Sequence, residues 1–229
     1  MTRRRFALVA LVAAALAGLL TVGTWASMRA SAQPTQTMMA DGYGPGTMGG
    51  QYGMGMMAGG NGMMAGAYGL PGDGRPVKTL AAVRQRAQAY GDRLGLRTGE
   101  VMQFSNGFYA VLLTVDGAGG TEVLVDSATG AVQVEYGPAM MWNTSYGMHA
   151  GAAVTAPAVS VADAGRLAQR WLDDQRHGLT VGEAEPFPGY YTFDTRRSGK
   201  LDGMMSVNAA TGAVWYHTWH GSFIAISEE

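Results

Sequence analysis

The chain of 229 residues is long enough for one large or two small domains. Its formal charge of −1, from 16 Lys and Arg against 17 Asp and Glu, gives no reason to expect a nucleic-acid partner. Cysteine is absent, which excludes disulfides, thiolate zinc sites, iron–sulfur clusters and cysteine catalysis, so any metal must use nitrogen, oxygen or thioether ligands.

Arg3, Arg4 and Arg5 precede an uncharged apolar run over residues 6–26, and Ala30-Ser31-Ala32 then offers a small-x-small cleavage site before Gln33. Residues 1–32 therefore read as a signal peptide or, since the run is about the length that spans a bilayer, as a membrane anchor with the arginines inside. The stretch "TRRRF" resembles the twin-arginine export pattern. Either reading exports the protein to the cell envelope or the medium, free or held by residues 6–26.

Residues 33–75 form a Gly/Met-rich segment with eight methionines between Met38 and Gly66 and fourteen glycines over 41–74. No helical or strand period runs through it, so it cannot bury enough apolar surface to offset its ordering entropy, and a disordered tether is expected.

Beyond Pro76 the pattern changes. Leu80, Val83, Ala87, Tyr90 and Leu94 recur at helical steps with Arg84, Arg86 and Arg93 off that face. Short strands follow, broken at Asn106-Gly107, Gly117–Gly120 and Thr129-Gly130. The same order then repeats. Ser160 with Asp163 three residues on starts a second helix with the stripe Ala164, Leu167, Ala168 and Trp171, and a second strand series ends the chain. "VDSATGAV" at 125–132 aligns with "VNAATGAV" at 207–214, and Gly99-Glu100 with Gly182-Glu183. In each copy Asp126 or Asn208 can accept backbone hydrogen bonds while Gly130 or Gly212 supplies a positive φ, which describes a hairpin connector. The expectation is an α+β chain of two tandem units, each a helix plus an antiparallel sheet: unit one at 77–142, a linker at 143–158 and unit two at 159–226.

A helix followed by strands ending in D-x-x-T-G-x-V resembles the PepSY-domain family, known from protease propeptides and exported bacterial proteins. Both "VDSATGAVQV" at 125–134 and "VNAATGAVWY" at 207–216 carry the turn, with Asn208 in place of the pattern's Asp. The resemblance implies a helix packed on an antiparallel sheet and an extracytoplasmic role in binding or regulating a protein partner. It implies no catalytic residues.

The residues themselves point the same way. H-E-x-x-H, G-x-S-x-G and a phosphate loop are all missing from the chain, and Glu183 and Glu185 read as a solvated strand end. The chain is expected not to be an enzyme. Trp215, His217 and Trp219 occupy the outer positions of the last strand of unit two, matching Gln133 and Glu135 in unit one. They are either covered by the other unit or by the "PAMMWN" segment at 138–143, or they form a partner-binding face. His217 and His220 could share a metal, but three residues apart on a strand they point to opposite faces. A second function stays open. Met54, Met56, Met57, Met63 and Met64, with Met148 and His149 from the linker, offer soft ligands suited to Cu(I) and so to metal handling.

Overall fold

The computed structural model describes residues 67–151 and 156–227. The residues 6–26, the cleavage site and the tether methionines lie outside them. Among the described residues no helix is long and apolar enough to cross a membrane.

The architecture is α+β with two antiparallel sheets. The first holds β1 (Gly69–Leu70), β2 (Arg97–Phe104), β3 (Gly107–Leu113), β4 (Gly119–Val125), β5 (Val132–Val134) and β10 (Phe223–Ser227), in the spatial order β1-β5-β4-β3-β2-β10. The second runs β6 (Leu179–Phe187), β7 (Tyr190–Arg197), β8 (Lys200–Asn208), β9 (Val214–Tyr216). Helix α1 (Leu80–Gly91) covers the first sheet and α3 (Val161–Gln175) the second, while the single turn α2 (Pro138–Met141) follows β5. Each long helix starts where a hydroxyl can cap it: Thr79 Oγ1 accepts from Ala82 N at 3.2 Å and Ser160 Oγ from Asp163 N at 3.1 Å. Val83, Ala87 and Tyr90 bury the α1 stripe, and Ala164, Ala168 and Leu172 that of α3, with Leu167 and Trp171 half-buried beside it.

The same bonds recur in both halves. Gln88 accepts from Thr98 N at 2.8 Å and donates to Leu96 O at 3.1 Å, and Gln169 accepts from Val181 N at 3.0 Å and donates to Leu179 O at 3.2 Å. An amide reaching from helix to strand in this way satisfies backbone groups at the Thr98/Val101 and Val181/Ala184 irregularities, where Gly99-Glu100 and Gly182-Glu183 sit. In the turns, Asp126 Oδ1 accepts from Ala128 N and Thr129 N at 3.2 and 2.7 Å, and Asn208 Oδ1 from Ala210 N and Thr211 N at 3.0 and 2.9 Å. Gly130 and Gly212 take φ of 69° and 74°. Because one oxygen does the work in each turn, Asp126→Asn should change stability by less than about 0.5 kcal/mol, whereas Asp126→Ala should cost about 1–2 kcal/mol in urea unfolding.

At three places the structure adds to the sequence reading. Residues 69–75 are not part of an unstructured tether, because β5 needs a neighbour. Gly69–Leu70 pairs with it, Arg93 Nη1 donates to Gly69 O at 3.1 Å, and Arg86 Nη2 donates to Pro71 O at 2.8 Å. The linker begins packed, since Asn143 is buried and donates to Gly120 O at 2.8 Å. The last strand of unit two leaves its own sheet: β10 pairs antiparallel with β2 of the first sheet. That exchange draws residues 217–222 across from one sheet to the other.

Candidate metal centre

The site begins at two matched positions. Just past β5, Glu135 N donates to Glu122 O at 2.9 Å, and just past β9, His217 N donates to Met204 O at 3.0 Å. Glu135 and His217 thus hold the same place in their two sheets, and both side chains are fully buried. After His217 the chain cannot continue as a strand. Thr218 N turns back to Tyr216 O at 3.0 Å, and the Ser105-Asn106 turn between β2 and β3 grips residues 219–222. Asn106 Nδ2 donates to Trp219 O at 2.7 Å, Asn106 Oδ1 accepts from Gly221 N at 2.8 Å, and Ser105 Oγ accepts from Ser222 N at 3.0 Å. A Cβ on Gly221 would fall 2.2 Å from Ser105 Oγ, so a larger residue would push that hydroxyl off Ser222 N.

This course returns His220 to the side His217 faces. The expectation that the two histidines point to opposite faces is wrong, because the strand stops at Tyr216 and the rule of alternation stops with it. His220 Nε2 lies 2.8 Å from Glu135 Oε1, and His217 Nδ1 lies 3.7 Å from the same oxygen. The three ligand atoms are all within 4.8 Å of one another.

The bonding around them is incomplete. His217 Nε2 meets Ser206 Oγ at 2.9 Å, and Ser206 Oγ meets Thr192 Oγ1 at 2.9 Å. An Nε2–H that donates to Ser206 leaves Nδ1 as a bare lone pair 3.7 Å from a carboxylate oxygen; the opposite tautomer puts an N–H at that separation, beyond hydrogen-bond distance. Either way His217 Nδ1 is a buried orphan, as is Glu135 Oε2, and His220 Nε2 approaches Oε1 off the line of a hydrogen bond. Trp219 Nε1 donates to Glu135 Oε1 at 3.0 Å. Burial pushes the His217 imidazole down to about 4. Burial alone would raise the Glu135 carboxyl, but His217, His220 and the Trp219 N–H outweigh it and hold the group below the usual carboxylate range.

Two of the three donor pairs have spacings close to those of ligands around a first-row ion. At metal–ligand distances of about 2.0–2.2 Å, nitrogen and oxygen donors around one ion lie roughly 3 to 3.5 Å apart. The O–N separations of 2.8 and 3.7 Å bracket that spacing. The outer partners are of the kind metal ligands need, with Ser206 fixing the far nitrogen of His217 and Trp219 holding the carboxylate. A cleft of about 210 Å³ leads inward, lined by Arg176, Asp202, Tyr216 and Thr218 with both histidines.

Beside the centre lies a second buried carboxyl. Glu122 accepts from Tyr109 Oη and Tyr190 Oη, each at 2.7 Å, so it joins β3 and β4 of the first sheet to β7 of the second. Burial, then the neighbouring Glu135 charge, push Glu122 well above its ordinary value. Farther out, Glu185 departs from a solvated strand end: burial and the charge of Asp194 raise it to about 7. A carboxyl raised in the folded state contributes stability below its unfolded value of 4.5 that is lost as pH climbs toward 7. Glu185→Gln should therefore be more stable than the parent at pH 8, by roughly 2 kcal/mol after discounting partial exposure, and equal to it near pH 4.5 in urea unfolding.

Of the three aromatic-face residues, only Trp215 remains open, at 36% exposure. Its ring meets Trp142 at 5.5 Å and Trp219 at 6.2 Å, so the 138–143 segment covers part of that face. His217 is buried, and Trp219 turns inward to stack on it at 4.5 Å. Met148 and His149 are exposed, and His149 is not part of the Glu135, His217 and His220 cluster. Met54, Met56, Met57, Met63 and Met64 lie outside those residues. Sequence reasoning passed over Glu135, which looked like an outward strand position. The signal that could have found it is the alignment of the two copies, which sets Glu135 opposite His217.

No family model and no curated protein matches the chain. Among solved structures it aligns with the Bacillus megaterium YpeB C-terminal domain at 14% identity, over 62% of this chain and 62% of that one, with a TM-score of 0.24. The chain thus spans less than two thirds of that structure's length, and the match carries no functional weight.

Proposed function

We propose that the chain is an exported, non-enzymatic binding protein of two tandem PepSY-like units that takes up one first-row divalent ion through Glu135, His217 and His220. The observation that carries this reading is the convergence of three buried donors within 4.8 Å, each with a buried atom that has no hydrogen-bond partner. Two imidazoles and a carboxylate suit Zn(II), Cu(II), Ni(II) or Fe(II), rather than the softer Cu(I) for which thioethers are the better match. The recurrent helix-to-strand glutamines and Asx turns support two equivalent units, and the export signature supports an extracytoplasmic setting. Side chains only 0–4% exposed favour holding an ion over presenting it to a substrate.

The test is a calorimetric titration of the full chain with Zn(II), and with Cu(II) as the tighter competitor. One ion per chain is expected; no saturable heat with either ion would overturn the reading.

A further inference from the structure

The two histidines do not sit on a rigid strand. They lie in the six-residue strap 217–222 that carries the chain from β9 in the second sheet to β10 in the first. Glu135, their common partner, belongs to the first sheet's side of the junction, just past β5. The strap therefore has one liganding residue at its fixed end, His217, and one near its far end, His220, three residues before β10 begins.

β10 is the weakest held of the long pairings. It is five residues long, it lies at the sheet edge, and its ladder with β2 slips between Phe223 and Ala225. Ile224 and Ile226 face outward at 54% and 39% exposure, so alternate side chains bury little. Edge strands with few buried contacts open locally at low cost. Among the contacts that hold the segment besides its ladder are the grip of Ser105 and Asn106 on the strap, the Phe104 ring against His220 at 4.3 Å and Phe223 at 6.1 Å, the Arg84 Nη2 bond to Ser227 O at 3.2 Å, and the cluster at Glu135.

Resting on the proposed metal binding, we propose that the ion regulates this strand: by joining Glu135 to His217 and His220 it locks the strap, and the strap holds β10 on β2. Opening of β10 that carries the strap away withdraws His220 and Trp219 from Glu135, so the opened form keeps at most a fragment of the site. An ion that binds the closed form alone suppresses opening by mass action; at about 100 times its Kd the open population falls about 100-fold. In the open form the outer backbone groups of Val101–Phe104 lose their partner strand, which makes occupancy of a buried centre visible at the molecular surface.

Hydrogen exchange on the full chain tests this, with Zn(II) as the probe and binding followed in parallel by calorimetry. Without the ion, the amides of 223–227 should exchange ahead of those of β3 and β4. With Zn(II) at about 100 times its measured Kd they should slow about 100-fold, toward the rate of the core strands. In His220→Gln the metal-dependent slowing should vanish while β3 and β4 stay protected, which separates loss of the lock from loss of the fold. If Zn(II) binds but the exchange of 223–227 keeps its metal-free rate, the strand is not under the ion's control and the inference fails alone. If no heat is seen, the metal reading fails, and the inference with it.

Discussion

His220→Gln should weaken binding of Zn(II) at least about 100-fold, a loss of roughly 2.7 kcal/mol, with the folded state kept. The glutamine fills similar space but offers no imidazole lone pair, and a site left with Glu135 and His217 has two ligands where a structural or catalytic zinc has three or four. Glu135→Gln should fall as far, since it removes both the charge and the oxygen nearest the two histidines. Ser206→Ala should cost less, about 10-fold, because Ser206 touches only the far nitrogen of His217 and sets its tautomer. This graded series is what distinguishes coordination from adventitious binding at surface histidines. His177 and His149 are exposed and would bind any loose ion equally well in all three variants. Unchanged affinity in His220→Gln would overturn the assignment.

Glu122→Ala should be the most destabilising of these substitutions, by about 4 kcal/mol, combining a cavity with two buried phenols left without an acceptor. For a chain of this length that corresponds to a fall in Tm of roughly 8–16 °C. Tyr109 and Tyr190 are both fully buried, and the carboxyl between them is their shared partner across the two sheets. Glu122→Gln keeps an acceptor and should recover most of the loss. The triple variant Tyr109→Phe, Glu122→Leu, Tyr190→Phe should recover part of it as well, because the two phenols and the carboxyl they share are removed together. Protonation distinguishes the parent from Glu122→Gln. The raised carboxyl contributes stability that is full below the ordinary carboxylate range and is lost as pH rises, so the parent should lose stability with rising pH by more than Glu122→Gln does. Equal pH slopes in urea unfolding would show that Glu122 is not held in the neutral form.

Much of the fold was legible because its determinants are local. The stripes of α1 and α3, the hydroxyl at each helix start, and the D/N-x-x-T-G turns all act within a few residues, and each does in the structure what its chemistry predicts. The matched turns were legible for the same reason, since local motifs align without knowledge of the partner strands.

The site was not legible, and particular residues show why. Glu135 alternates with Val134 and Tyr136 as a solvent-facing position would, yet it is fully buried because residues 84 positions away fold over it: Trp219 donates to its carboxylate. Strand alternation states which side a residue faces, but not what lies on that side. The histidines were misjudged by the opposite error, treating as strand a segment that is a strap. Its path depends on Ser105 and Asn106, more than a hundred residues earlier.

By itself, then, the amino-acid sequence determined the helices and the turns of the described residues, set by hydrophobic period, capping and glycine chemistry within short windows. Only the tertiary structure decided that β10 crosses to the first sheet and that Glu135, His217 and His220 converge, because both depend on which strand edge lies open to which segment. A free edge of hydrogen-bonding groups is satisfied by whatever chain can reach it, and reach is a property of the assembled fold.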